Sequence, residues 1–335
     1  GGARPTNRKP WFSRMVEWWL DCGGGYPGVL EVSMKSSLFT LGSWALLACL
    51  WLSACDPPEP PAGEYPAVFR DAAATSDAEA ADSGPNSDLV ADGTWLLWHE
   101  TSTCVKALSV DLESVTQTLL LVSLSSDVGG VVHHTSRDCL IEQTPIVGVA
   151  TTIPLQVVET IPPQNYVAVL SGSHEGATYS TQRIIELWGL HLDDPEFEEL
   201  PKDPLDSRVY DQDGDGNPGA TLVLGANQCS MYVVQRAIAQ WNGKVESSIR
   251  IAGVGNNATT QVVLGATGGF CASQFDTRNP PDSARFVLQR VDGRYGAPNL
   301  DTNGDGQIDC EEVRAYGSEP FGPRQPDNER CKSQP

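Results

Sequence analysis

Basic residues are scarce in this chain. Only 22 Lys and Arg stand against 43 Asp and Glu in 335 residues, for a formal charge of −21. A nucleic-acid partner is therefore not expected, because phosphate binding needs clustered cations to displace counterions. Catalytic signatures are also missing: the chain has no G-x-S-x-G, no H-E-x-x-H and no Walker loop. Without a C-x-x-C pair there is no support for a zinc ribbon or a thioredoxin-like centre. No apolar run is long enough for a comfortable helical membrane span. The acidic balance suits a solvated surface or divalent cations.

The one sustained apolar run lies near the start. Met34-Lys35 precede Leu38–Trp51, and the run closes on Leu52-Ser53-Ala54-Cys55. A basic start, a short hydrophobic stretch and small residues before a cut form the pattern of a signal peptide. The L-S-A-C ending resembles the lipobox of bacterial lipoproteins. That resemblance implies that Cys55 carries lipid, becomes the new N-terminus and tethers the protein to a membrane in the cell envelope. A transmembrane anchor is the alternative reading. Asp56 resembles an inner-membrane retention signal of some Gram-negative bacteria, which leaves the leaflet open. The expected organisation is then 1–33 as an upstream segment outside the mature protein, 34–54 as signal peptide and 55–92 as a disordered tether. The tether is rich in Pro, Ala, Asp, Glu and Ser, so it has too little to bury to offset its ordering entropy. As a flexible coil it would reach on the order of 35 Å.

Of nine cysteines, Cys22 and Cys49 leave with the precursor and Cys55 takes the lipid. Cys104, Cys139, Cys229, Cys271, Cys310 and Cys331 remain, an even set suited to disulfides in an exported chain. Sequential pairing, 104–139, 229–271 and 310–331, is the expectation.

From Thr94 the chain breaks into short apolar runs separated by Gly, Pro, Asn and Asp. They include Thr94–Glu100, Gln117–Ser123, Gly148–Pro154, Tyr166–Leu170, Arg183–Leu192, Ala220–Leu224, Met231–Trp241, Lys244–Ile251, Thr260–Leu264 and Arg285–Val291. Such runs predict a mainly β domain over 93–292, an antiparallel sandwich or barrel. Asn242-Gly243 predicts a two-residue type I′ hairpin between the strands that end at Trp241 and begin at Lys244. That register places Arg236 on an otherwise apolar face, where it needs a carboxylate or polar ligand, unless a bulge turns it outward. Residues 293–335 are read as a calcium loop, a short helix and a tail.

The calcium reading rests on Asp301-Thr302-Asn303-Gly304-Asp305-Gly306-Gln307-Ile308-Asp309-Cys310-Glu311-Glu312, which fills each slot of the twelve-residue EF-hand loop. Calcium takes roughly six to eight hard oxygen ligands. Asp301, Asn303 and Asp305 offer side-chain oxygens, Gln307 a carbonyl, and Asp309 a direct or water-mediated ligand. Glu312 would close the site in bidentate fashion. No clear entering helix precedes the loop, so it resembles the isolated loops of dockerin-type and other exported bacterial proteins. A second loop, Asp211-Gln212-Asp213-Gly214-Asp215-Gly216-Asn217, matches through position 7 but has Leu222 at position 12. Asp211, Asp213, Asp215 and Asn217 are its candidate ligands, with Asp203 or Asp206 as the nearest upstream acids for a closing ligand.

Other polar groups read as surface. His133-His134 is expected in a surface loop and His174-Glu175 in a hairpin turn, whereas Trp95, Trp98, Trp188 and Trp241 suit a core. The function expected is a non-enzymatic, calcium-binding envelope lipoprotein whose β-domain calcium stabilises. A ligand- or partner-binding barrel lined by Arg236 and tryptophans is the alternative, and a secreted hydrolase with scattered carboxylates is the third.

Overall fold

The computed structural model describes residues 88–332 apart from 108–109, 147, 226–228, 269–270, 272–276 and 281–282. The lipobox, Cys55 and all but the end of the expected tether lie outside the described residues.

Twelve strands form one antiparallel sheet: β1 Gly93–Ala107, β2 Val110–Ser126, β3 Val131–Gln143, β4 Thr151–Thr152, β5 Gln164–Leu170, β6 Thr178–Thr181, β7 Ile184–Trp188, β8 Ala220–Leu224, β9 Cys229–Ser247, β10 Arg250–Ala266, β11 Thr277–Arg278 and β12 Ala284–Arg290. Because β10 pairs with both β12 and β9, the order β1-β2-β3-β5-β6-β9-β10-β12 returns to β1 as a closed barrel. Closure leaves those eight strands without a free end to the sheet. The remaining strands extend it, with β7 and β8 continuing along β9 beyond β6.

Alternation explains which residues fill the interior. On β1, Trp95, Leu97 and His99 point inward, while Leu96, Trp98 and Glu100 point outward under the C-terminal segment. The first inner core joins Trp95, Leu97, Leu120, Val122, Tyr179, Trp241, Phe286 and Leu288. A second closes the other end, where helix α1 (Leu155–Glu159) and Ile161 press onto Ile141, Trp188, Leu222, Met231 and Val233. Burying each such side chain contributes roughly 1.5–3 kcal/mol. The four tryptophans expected in the core are all buried there or beneath the C-terminal segment.

That segment is pinned across the outside of β1–β3 and β12. Phe321 stacks on Trp98, with ring centroids 5.5 Å apart. Two fully buried carboxylates receive its arginines: Glu100 meets Arg324 at 2.9 Å and Arg285 of β12 at 3.0 Å, and Glu113 meets Arg330 at 3.2 Å. Helix α2 (Cys310–Tyr316) begins at Asp309 with a capping box.

Three sequence expectations are corrected. Asn242-Gly243 is no turn: β9 runs through it, Gly243 lies between Tyr179 and Gly253, and its φ is not positive as a type I′ turn would require. A side chain at Gly243 would collide with Phe286, so the glycine serves close packing inside the barrel. The turn falls at Ser248-Ile249, after the Ser247–Arg250 pair. Register therefore turns Arg236 outward without a bulge at that point, and its guanidinium donates to the carbonyls of Glu198 (2.8 Å) and Pro195 (3.3 Å). Alternation misled here because the outer face is also covered, with Leu190, Leu200 and Val209 packed over Val234. His133 and His134 lie in β3 rather than a loop, and His134 is buried inside the barrel. Finally, the disulfides are Cys104–Cys331, Cys139–Cys310 and Cys229–Cys271. Only the last is sequential, because the tail folds back onto the first strands instead of pairing with itself. Three disulfides belong to an oxidising compartment rather than the cytosol. Among the described residues no helix is long and apolar enough to cross a membrane.

Candidate metal centre

Two Asp-rich loops wind in the same way. In the first, the Asp211 carboxylate accepts from the amides of Gly214 and Gly216, both at 2.8 Å. In the second, Asp301 accepts from Gly304 at 2.7 Å and Gly306 at 3.0 Å. Asp215 likewise takes the Asn217 amide and Asp305 the Gln307 amide, each at 2.8 Å. Backbone amides thus turn the carboxylates toward the inside of each loop.

The loops differ in what converges. Oxygens of Asp211, Asp213 and Asp215 all lie within 4.8 Å of one another, a spacing that a single cation can bridge. Among the described residues this is the one group of three such side chains that close. Asp213 is buried, and its Oδ1 has no hydrogen-bond partner among the described residues. Burial raises its pKa, and Asp215 and Asp211 add repulsion. Asp215 is held low despite burial because Thr221 and Asn217 donate to it; the Thr221 hydroxyl lies 2.7 Å away. Charge crowding around an oxygen with no partner among the described residues fits a hard cation. Asp203 and Asp206 do not supply the missing ligand: Asp203 accepts from Leu205 N, and Asp206 pairs with Arg208 at 2.7 Å.

This loop is wedged against α1. The buried Gln212 amide accepts from Gly189 N at 2.6 Å and donates to Val157 O at 3.2 Å, and Gln156 donates to Asp213 O.

In the 301–312 loop the carboxylates are spread. Asn303 donates to Asp305 at 3.2 Å, replacing a repulsive third acid with a neutral contact. Glu312 turns one oxygen to Thr302 N (2.6 Å) and Asn303 N (3.2 Å), and the other to Asp309 N (3.1 Å). These amides depress its pKa although burial opposes them. Asp309 caps α2 through Glu311 N and Glu312 N. Cys310 anchors the loop to β3 through Cys139.

One polar cluster escaped the sequence reading. Inside the barrel Asp138 of β3 is buried, and burial, then repulsion from Glu186 of β7, raises its pKa; Glu186 itself accepts from Trp188 Nε1 at 2.6 Å. The signal was the alternation Val132, His134, Ser136, Asp138, visible once Val131–Gln143 is taken as a strand.

No family model matches the chain, and neither a curated protein nor a solved structure does.

Proposed function

We propose that this chain is an extracytoplasmic, lipid-anchored calcium-binding protein whose β-barrel is stabilised by the ion. One observation carries the reading: three loop carboxylates converge beside a buried Asp213 oxygen that has no hydrogen-bond partner among the described residues. Calcium there would neutralise the crowded charge and fix the loop against α1. The 301–312 loop is a second, EF-hand-type site, closed by Glu312 and tied to β3. In an envelope compartment rich in calcium both sites would stay filled, so the ion acts as a structural part, not as a signal.

Ligand bound only to the native state adds RT ln(1 + [L]/Kd), about 2.7 kcal/mol at a hundredfold excess over Kd. Thermal unfolding of the intact chain should therefore shift to lower temperature when a chelator replaces calcium. Asp213→Ala should remove most of the shift belonging to the 211–217 loop, and Asp301→Ala that of the other. A melting temperature indifferent to chelator rules the reading out. The alternative of a ligand-binding barrel keeps little from its named lining, since Arg236 faces outward and the four tryptophans are spent in packing.

A further inference from the structure

Helix α1 has little of its own to hold it. It is five residues long, begins at Pro154 without a side-chain cap, and is followed closely by Pro162 and Pro163. So short a helix is unstable alone, because nucleation costs more than its few hydrogen bonds return. Packing supplies one restraint: Val157, Val158 and Ile161 are buried against Ile141, Trp188, Leu222, Met231 and Val233.

The 211–217 loop supplies another. Gln156 donates to the Asp213 carbonyl, and the buried Gln212 amide donates to Val157 O at 3.2 Å and to Thr160 Oγ1 at 3.4 Å. Glu159 also pairs with Arg314 at 3.7 Å, but both side chains are partly exposed and such a pair adds little. The loop residues that hold α1 are thus Gln212 and Asp213, which sit among the three carboxylates. Oxygens of Asp211, Asp213 and Asp215 lie within 4.8 Å of one another, and the buried Asp213 Oδ1 has no hydrogen-bond partner among the described residues. Repulsion within this group bears directly on the contacts with α1.

We propose that α1 is a lid over the apolar end of the barrel, held shut by a divalent cation at Asp211, Asp213 and Asp215. The proposal rests on the calcium reading of that loop and adds what the ion controls. With the cation bound, the carboxylates are drawn together, and Gln212 and Asp213 keep their hold on α1. Without it, repulsion spreads the loop and loosens the contacts with Gln156, Val157 and Thr160. The lid then opens locally while the rest of the barrel stays folded.

Hydrogen exchange of the intact chain reads the lid through the amides of Val157, Val158, Thr160 and Ile161, which bond within this turn. If opening releases the ion, bound calcium lowers the opening constant by one plus the ratio of free calcium to Kd. These amides should therefore exchange about a hundredfold faster in chelator than in calcium at a hundredfold excess over Kd. Met231 reads the space beneath. It is buried in the core under α1, and dilute hydrogen peroxide converts its thioether to the sulfoxide, releasing water, once solvent reaches it. Its oxidation should accelerate in chelator well below the melting temperature.

Asp213→Asn should abolish both responses to calcium, whereas Asp301→Ala should keep them. Replacing Gln156 and Gln212 together by alanine spares the carboxylates and cuts the ties. In that variant calcium should still raise the melting temperature, while exchange in α1 no longer follows the ion. A chelator that lowers the wild-type melting temperature but leaves α1 exchange and Met231 oxidation unchanged overturns the lid and spares the calcium reading. A melting temperature that also ignores chelator overturns both. Faster exchange with Met231 still protected means a frayed helix, and that too sinks the lid, as does an Asp213→Asn chain that keeps both responses.

Discussion

The loops at 211–217 and 301–312 share a backbone winding but answer charge differently. Asp211–Asp215 crowds three carboxylates and leaves one oxygen buried with no partner among the described residues. Asp301–Glu312 dilutes its charge with Asn303 and turns Glu312 onto its own amides. The second loop is thus held by a disulfide and a helix cap besides its hydrogen bonds, whereas the first has, among the described residues, hydrogen bonds alone to set against its repulsion. The loop with the poorer motif should be the one that depends more on an ion.

The largest effect should come from removing the covalent clamp of the 301–312 loop. Replacing both Cys139 and Cys310 by alanine should cost roughly 2–5 kcal/mol in denaturant unfolding. Next, Asp213→Asn should reverse sign with calcium. In chelator the variant should exceed wild type by on the order of 1 kcal/mol, since it removes a buried charge crowded by Asp215 and Asp211. Because the folded Asp213 pKa is raised, that advantage should grow as pH rises above the unfolded aspartate range. With calcium in excess the variant should be the less stable chain, and equal ranking in both conditions would remove the distinction between the loops. Gln212→Ala should cost about 1–3 kcal/mol by leaving buried groups on Gly189 and Val157 unpaired, read as faster exchange of amides in α1. In chelator, where no ion weighs on the loop, Glu312→Gln should cost only about 1 kcal/mol, through the cap. Glu312 titrates below its ordinary value, so wild type should hold this margin above about pH 4.5 and lose it as pH falls through the folded value.

Much of the architecture was legible because burial wrote itself into alternation. Ala220–Leu224 is β8 as read, and Arg285–Val291 overlaps β12 closely. β3 was missed because its inward face carries His134, Ser136 and Asp138, polar residues that sit inside the barrel and look like surface in a string of letters. The β9 turn was misplaced because a glycine needed for packing against Phe286 imitates a glycine needed for a positive φ. Both Asp loops were legible as motifs, since local spacing decides how the backbone winds. What stayed hidden was the burial of Asp213 and Asp138, which depends on elements far apart in the chain.

The tail's attachment also sets an order of events. Cys104 waits for a partner 227 residues later, and Cys139 for one 171 residues later. As the chain emerges, the first three strands are made long before anything can cover Leu96, Trp98 and Leu119 or neutralise Glu100 and Glu113. Assembly is therefore governed by the last residues described: until Arg324, Arg330 and Cys331 arrive, the barrel's earliest strands present an unfinished surface, and a chain interrupted before them should be left open to proteases or chaperones.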